Sequence, residues 1–220
     1  MKKNNPTGPR ILRLLKNCYY DFRYGGRLLL VPPKNGDEER GIHPSQPSDY
    51  AAMTKLFSLI EVRPEDVIVD IGCGQGRLFS FLLRNGLANR AIGIEVDRDI
   101  ARTAARRFRR YQQIEIVQGN VLSHVPVGTI YYLFNPFSEE ILTAFLQRLE
   151  KRLIAEKSPT ADRPIVVYYN CAHLDVFSRS GLWAIQRIDR VSFSGLPGAI
   201  LQFRPRVSAS SDAARAGRLI

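Results

Sequence analysis

Acidic residues are scarce in this chain. Over 220 residues, 21 Asp and Glu stand against 32 Lys and Arg, a formal net charge of +11. Such a surface attracts nucleic acid, anionic membrane or acidic proteins. No run of 18 apolar residues occurs, so no transmembrane helix is expected. Cysteine is sparse as well: Cys18, Cys73 and Cys171 are odd in number and lack metal-ligand spacing. That excludes a disulfide framework and a cysteine metal site, and fits free thiols in a reducing compartment. Met1-Lys2-Lys3 is followed by Arg10, Arg13 and Lys16 rather than by an apolar segment, so no signal peptide is expected and the cytoplasm is the default location. Internal repeats are absent. A hydrophobic content of 45% is ordinary for a globular protein, and the length suits one core.

The most informative segment is Val67-Ile68-Val69-Asp70-Ile71-Gly72-Cys73-Gly74-Gln75-Gly76-Arg77. A short β-branched run reads as a buried parallel strand, and a helical pattern follows the glycines at once. Glycines there permit unusual dihedrals and close ligand approach, the arrangement of a nucleotide-type site. The dinucleotide fingerprint G-x-G-x-x-G needs a glycine at position 77, which is Arg77, so a dehydrogenase is disfavoured. Asp70 makes the spacing D-x-G-x-G-x-G instead. A carboxylate there repels a pyrophosphate and suits a ligand bearing an ammonium and a sulfonium. This segment resembles motif I of the class I S-adenosylmethionine-dependent methyltransferases.

Three further strand ends fall in order. Ala91-Ile92-Gly93-Ile94-Glu95 ends in an acid 25 residues after Asp70, a βαβ interval, where a carboxylate can accept both ribose hydroxyls. Ile114 to Gln118 runs into Gly119-Asn120-Val121, which resembles the family's Gly-Asp/Asn step beside the adenine amino group. Ile130 to Phe134 ends in Asn135-Pro136-Phe137. Strand carboxyl ends form the crevice in this topology, so the last three residues are candidates to face the acceptor. Asn135 and the Pro136 carbonyl offer hydrogen-bond acceptors to an amine, and Phe137 offers an apolar surface. The alternative is structural, with Asn135 capping the turn and Pro136 stiffening it. The triplet resembles a shortened N-P-P-[YF] motif of amino-group methyltransferases, lacking the second proline. It is also similar to the Asn-containing loop of non-SET lysine methyltransferases. His43, His124 and His173 have no evident relation to it in the sequence.

The wider resemblance, over residues 19–205, is to small bacterial class I methyltransferases of undefined substrate. They share a pattern like Asp21-x-Arg23-Tyr24-Gly25, and a Y-x-P-[ST]-x-[YF] element that reads Ser45-Gln46-Pro47-Ser48-Asp49-Tyr50 here, with Ser45 in place of the tyrosine. The resemblance implies an α/β fold with one doubly wound, mostly parallel seven-stranded sheet and a terminal antiparallel strand pair. It implies S-adenosyl-L-methionine as cofactor, held by Asp70, Gly72, Cys73, Gly74, Gly76, Glu95, Asn120 and Val121, with no metal. Asn135, Pro136 and Phe137 are the catalytic candidates. The methyl acceptor is expected to be an amine such as a protein lysine. RNA or DNA, or a non-catalytic binding role, are the alternatives.

The expected organisation is a basic extension and lead-in over 1–45, the methyltransferase domain over 46–205, and a disordered tail over 206–220. Within the extension, residues 1–9 read as disordered, and Ile11, Leu12, Leu14, Leu15 and Cys18 suggest a short amphipathic helix able to cover the site or contact an anionic surface. Ser48 is the expected N-cap of a helix reaching Glu61, a helix starts at about Gln75, and strands are expected near 183–193 and 199–203. Arg98, Arg102, Arg106, Arg107, Arg109 and Arg110 read as the solvated face of one helix whose buried stripe is Ile100, Ala101, Ala104, Ala105, Phe108 and Tyr111. An anionic partner for that face is the alternative.

Overall fold

The computed structural model describes residues 7–26, 47–156, 163–193 and 195–204. Ser45 and the 206–220 tail lie outside these. The first five strands in chain order are parallel. They are β1 (Ile68–Ile71), β2 (Ala91–Glu95), β3 (Ile114–Gln118), β4 (Ile130–Phe134) and β5 (Ile165–Tyr169). β6 (Trp183–Ile188) and β7 (Gly198–Phe203) add an antiparallel pair, for an order of β3-β2-β1-β4-β5-β7-β6. This is the seven-stranded sheet expected. Strand order reverses between β1 and β4, which opens a crevice at their carboxyl ends.

Period-two alternation sorts the core onto two faces. Tyr132 of β4 and Val167 of β5 join Met53, Leu56, Phe79 and Phe108 on one side. Tyr131, Leu133, Val166 and Tyr168 join Leu142, Phe145, Leu149 and Phe177 on the other. The first layer includes α2 (Tyr50–Phe57), α3 (Arg77–Arg84) and α4 (Arg98–Phe108); the second includes α5 (Glu139–Glu156) and α6 (Leu174–Ser180). The central strands read as apolar runs because both faces are covered.

Several boundaries differ from expectation. Asp49 rather than Ser48 caps α2, accepting from Ala51 N, and α2 stops at Phe57. The Ser48 hydroxyl instead receives the buried Tyr132 hydroxyl at 2.8 Å. α3 starts at Arg77 because Gly76 is left-handed. β6 ends at Ile188, short of 193, and α6 was not foreseen: at seven residues it is too short to show a period.

The largest difference is at the N-terminus. α1 runs from Thr7 to Gly25, beginning inside the segment expected to be disordered and far exceeding a short helix. It packs on α3. The carboxylate of Asp21 is fully buried, paired with Arg77 at 2.5 Å and accepting the Tyr50 hydroxyl at 2.9 Å. Arg107, expected on a solvated face, instead donates from Nε to the Gly25 carbonyl and from Nη1 to the Gln75 carbonyl. Arg98, Arg102, Arg106, Arg109 and Arg110 are exposed as expected, but of the expected stripe only Ala101, Ala104 and Phe108 are buried; Ala105 points outward and is exposed, and Ile100 and Tyr111 are half-buried.

Candidate cofactor and acceptor site

The loop after β1 is built by its glycines. Gly72, Gly74 and Gly76 have φ of +72°, +53° and +81°, a region L side chains avoid. Gly72 N and Cys73 N both donate to the Ile94 carbonyl at 3.0 Å, and Gly76 N closes a turn onto the Cys73 carbonyl. A Cβ on Gly72 would lie 2.8 Å from the Pro136 side chain, and one on Gly76 would lie 2.6 Å from the Phe108 ring. The glycine loop is therefore wedged against the β4 loop on one side and α4 on the other.

Glu95 clasps this loop. One carboxylate oxygen accepts from Gly74 N at 2.9 Å and the other from Asp97 N at 3.0 Å. Each oxygen keeps a second lone pair for a ligand hydroxyl. Asp97 caps α4 through Asp99 N and Ile100 N. Asp70 is 4% exposed and pairs with no cation among the described residues. Burial, then the neighbouring Glu95, pushes its carboxyl up to about 8, and burial raises Glu95 as well. The buried Cys73 thiol is also raised, by burial and then by Asp70. A buried carboxylate without a cation, beside a left-handed glycine loop, fits the cationic end of a ligand.

The remaining candidates lie along the same sheet edge. Asn120, after β3, is exposed and its Oδ1 accepts from Leu122 N at 2.8 Å; Val121 is buried. Asn135 has a φ of +39°, and its Oδ1 accepts the Tyr168 hydroxyl at 3.2 Å. Phe137 packs toward Phe145, with ring centroids 6.3 Å apart. Strand order thus lines up Asn120, Glu95, Asp70 with its glycines, and Asn135 to Phe137.

Tyr168 was not foreseen as a partner of Asn135, because the pair spans 33 residues. A charged cluster is only half legible in the sequence: Ser138 with Glu139 and Glu140 reads as a helix start, whereas Asp175 and Arg179 give no sign of joining it. Glu139 and Glu140 open α5, Asp175 opens α6, and Arg179 pairs with both Glu139 and Asp175. His173 Nδ1 lies 4.0 Å from Glu139. These helices start just beyond β4 and β5, so among the described residues three carboxylates and one arginine form a rim at the carboxyl end of the sheet.

The strand order and glycine loop define a Rossmann-like α/β domain of the class I methyltransferase kind. A family described as a methyltransferase domain matches residues 68–153. Over those residues the chain is similar to S-adenosylmethionine-dependent methyltransferases. It is similar to ribosomal RNA small subunit methyltransferase A of Thermotoga maritima, 31% identical over 103 residues, covering 43% of this chain and 36% of that one. It is also similar to a protein-lysine N-methyltransferase of Saccharolobus islandicus, 24% identical over 99 residues, covering 42% and 62%. The chain thus spans less than two thirds of the curated relatives it matches. In fold it resembles a methyltransferase from Pyrococcus furiosus, with a TM-score of 0.59 at 16% identity over 89% of this chain and 98% of that one. An RNA methyltransferase from Salinibacter ruber in complex with S-adenosyl-L-homocysteine gives 0.52 at 19%, covering 76% and 99%.

Proposed function

We propose that this protein transfers a methyl group from S-adenosylmethionine to an amino nitrogen, with a protein lysine as acceptor. Asp70 and the loop of Gly72, Cys73, Gly74 and Gly76 hold the methionine end, Glu95 the ribose, and Asn120 with Val121 the adenine. The cofactor supplies an already activated methyl group. The protein therefore has to position a neutral amine with its lone pair free, a little over ~3 Å from the methyl carbon. Asn135 Oδ1, steadied by Tyr168, and the Pro136 carbonyl accept the amine hydrogens. The one observation that carries the lysine reading is the rim. Among the described residues, Glu139, Glu140 and Asp175 set around Arg179 draw in an ammonium and oppose a phosphate chain. A lysine, with an ordinary pKa near 10.4, must then lose its proton; a drier interior disfavours the ammonium.

An RNA acceptor is the second reading. The ribosomal RNA methyltransferases among the relatives and the net charge of +11 favour it. The test is incubation with labelled cofactor and a cell lysate, followed by protease or ribonuclease digestion. Label released by protease and recovered as methyl-lysine is the expected result; label released by ribonuclease would replace lysine with RNA. A protein that binds cofactor and transfers no label to any fraction would refute catalysis.

A further inference from the structure

Helix α1 has two faces with different fates. Its inner face is fixed to the body through Asp21 with Arg77, Gly25 with Arg107, and Tyr20 beneath the Arg84 guanidinium at 4.0 Å. Its outer face carries Ile11, Leu15, Tyr19 and Phe22, spaced i, i+4, i+8 and i+11, with Leu12 and Leu14 alongside. These six side chains are 54–62% exposed. A soluble surface scatters its exposed apolar residues, whereas a continuous stripe along one helix marks a docking face.

Charge decides what docks there. Lys16 and Arg23 are exposed along one flank of the stripe. The first 34 residues hold eight Lys and Arg against Asp21 alone, and Asp21 is turned inward. Aliphatic side chains offer nothing to a phosphodiester backbone, which argues against RNA. A second copy would bring two bodies of charge +11 together, at an electrostatic cost. An anionic bilayer accepts both features: apolar side chains sink below the headgroups while cations stay among them.

We propose that α1 is an in-plane anchor that seats this protein on an anionic phospholipid surface. The stripe enters the headgroup–acyl boundary, Lys16 and Arg23 meet lipid phosphates, and the inner face keeps the domain attached. No helix among the described residues is long and apolar enough to cross a membrane, so the contact is peripheral. The inference is independent of the acceptor's identity.

Vesicle flotation of the full chain tests it. Wild type is expected to float with phosphatidylcholine–phosphatidylglycerol vesicles, weakly or not at all with phosphatidylcholine alone, and less as salt is raised. Leu15→Glu with Phe22→Glu should weaken flotation at least about tenfold, since two buried apolar groups are replaced by charges. Both positions are exposed, so the melting temperature should hold. Lys16→Glu with Arg23→Glu should lower binding and flatten its salt dependence. No flotation of wild type at low salt overturns the proposal, and so does flotation unaffected by Leu15→Glu with Phe22→Glu. A wild-type dimer that the same variant disperses, with vesicles left unbound, would assign the stripe to a second copy.

Discussion

On the proposed function, one buried side chain, Asp70, couples cofactor binding to pH. Burial, then the neighbouring Glu95, pushes its carboxyl up to about 8, against an ordinary 3.8. A raised carboxyl stabilises the fold fully below its unfolded value, and that contribution fades as the pH rises through the folded one. A cationic ligand reverses the preference, because it favours the ionised form. Cofactor binding below pH 8 should therefore release a proton, and affinity should rise by up to about tenfold per pH unit before levelling near that value. Calorimetry in buffers of different ionisation enthalpy measures the proton directly. Asp70→Asn should abolish the slope. A wild-type affinity that is flat with pH would remove Asp70 from the cationic end. Asn135 makes the complementary case on the acceptor side. Asn135→Ala should leave cofactor affinity near wild type and slow single-turnover transfer by about 10²–10³, the usual loss for one positioned polar group in a dry site. Tyr168→Phe should lose less, as it only frees the amide to rotate. An unchanged chemical step in Asn135→Ala would reduce that residue to a cap on the β4 turn.

Helix α1 braces the glycine loop. Arg77 opens α3 directly after the glycine loop, and it donates to Asp21 and to the Pro47 and Ser48 carbonyls. Arg107 holds the Gln75 carbonyl inside the loop and the Gly25 carbonyl at the end of α1. Asp21 is 1% and Arg77 10% exposed at the side chain. Removing one partner of such a buried pair commonly costs about 3–5 kcal/mol, because the other charge stays buried. Asp21→Ala should thus lower the melting temperature and also weaken cofactor binding through the loosened loop. Arg77→Met combined with Asp21→Leu should recover much of the stability, since neither charge remains. If Asp21→Ala melted like wild type, α1 would be an ornament on α3. None of this was legible in the sequence. Asp21 and Arg77 lie 56 residues apart, and an isolated acid among basic residues gives no sign of where it points. The strands were legible for the opposite reason. Burial on both faces writes itself into consecutive apolar residues, and a left-handed turn writes itself into glycine. The Glu95–Gly74 clasp was half legible, since the acid announces a strand end but not that both its oxygens already hold backbone amides.

At the scale of the whole molecule, the net charge of +11 and the acidic rim pull in opposite directions. Screening separates them, because exposed charges beyond about 8 Å are largely screened at physiological salt. The global charge then governs approach to extended surfaces such as a bilayer. On the proposed function, the rim governs what enters the crevice. This division makes the two acceptor readings predict opposite signs for one experiment. Glu139 and Asp175 are 44% and 56% exposed, so neither supports the core, and both neutralise Arg179. Glu139→Gln with Asp175→Asn removes two negative charges and leaves Arg179 unpaired. For a lysine in a protein acceptor, that variant should raise KM about two- to fivefold per charge at low salt with little change in kcat, the range for exposed charge pairs. For an RNA acceptor the same change should lower KM, because the freed arginine meets phosphate. Steady-state rates with each acceptor class, at low and high salt, give the sign. A KM unmoved in both directions would mean that the rim lies off the path of the substrate. The lysine reading would then lose the observation that carries it.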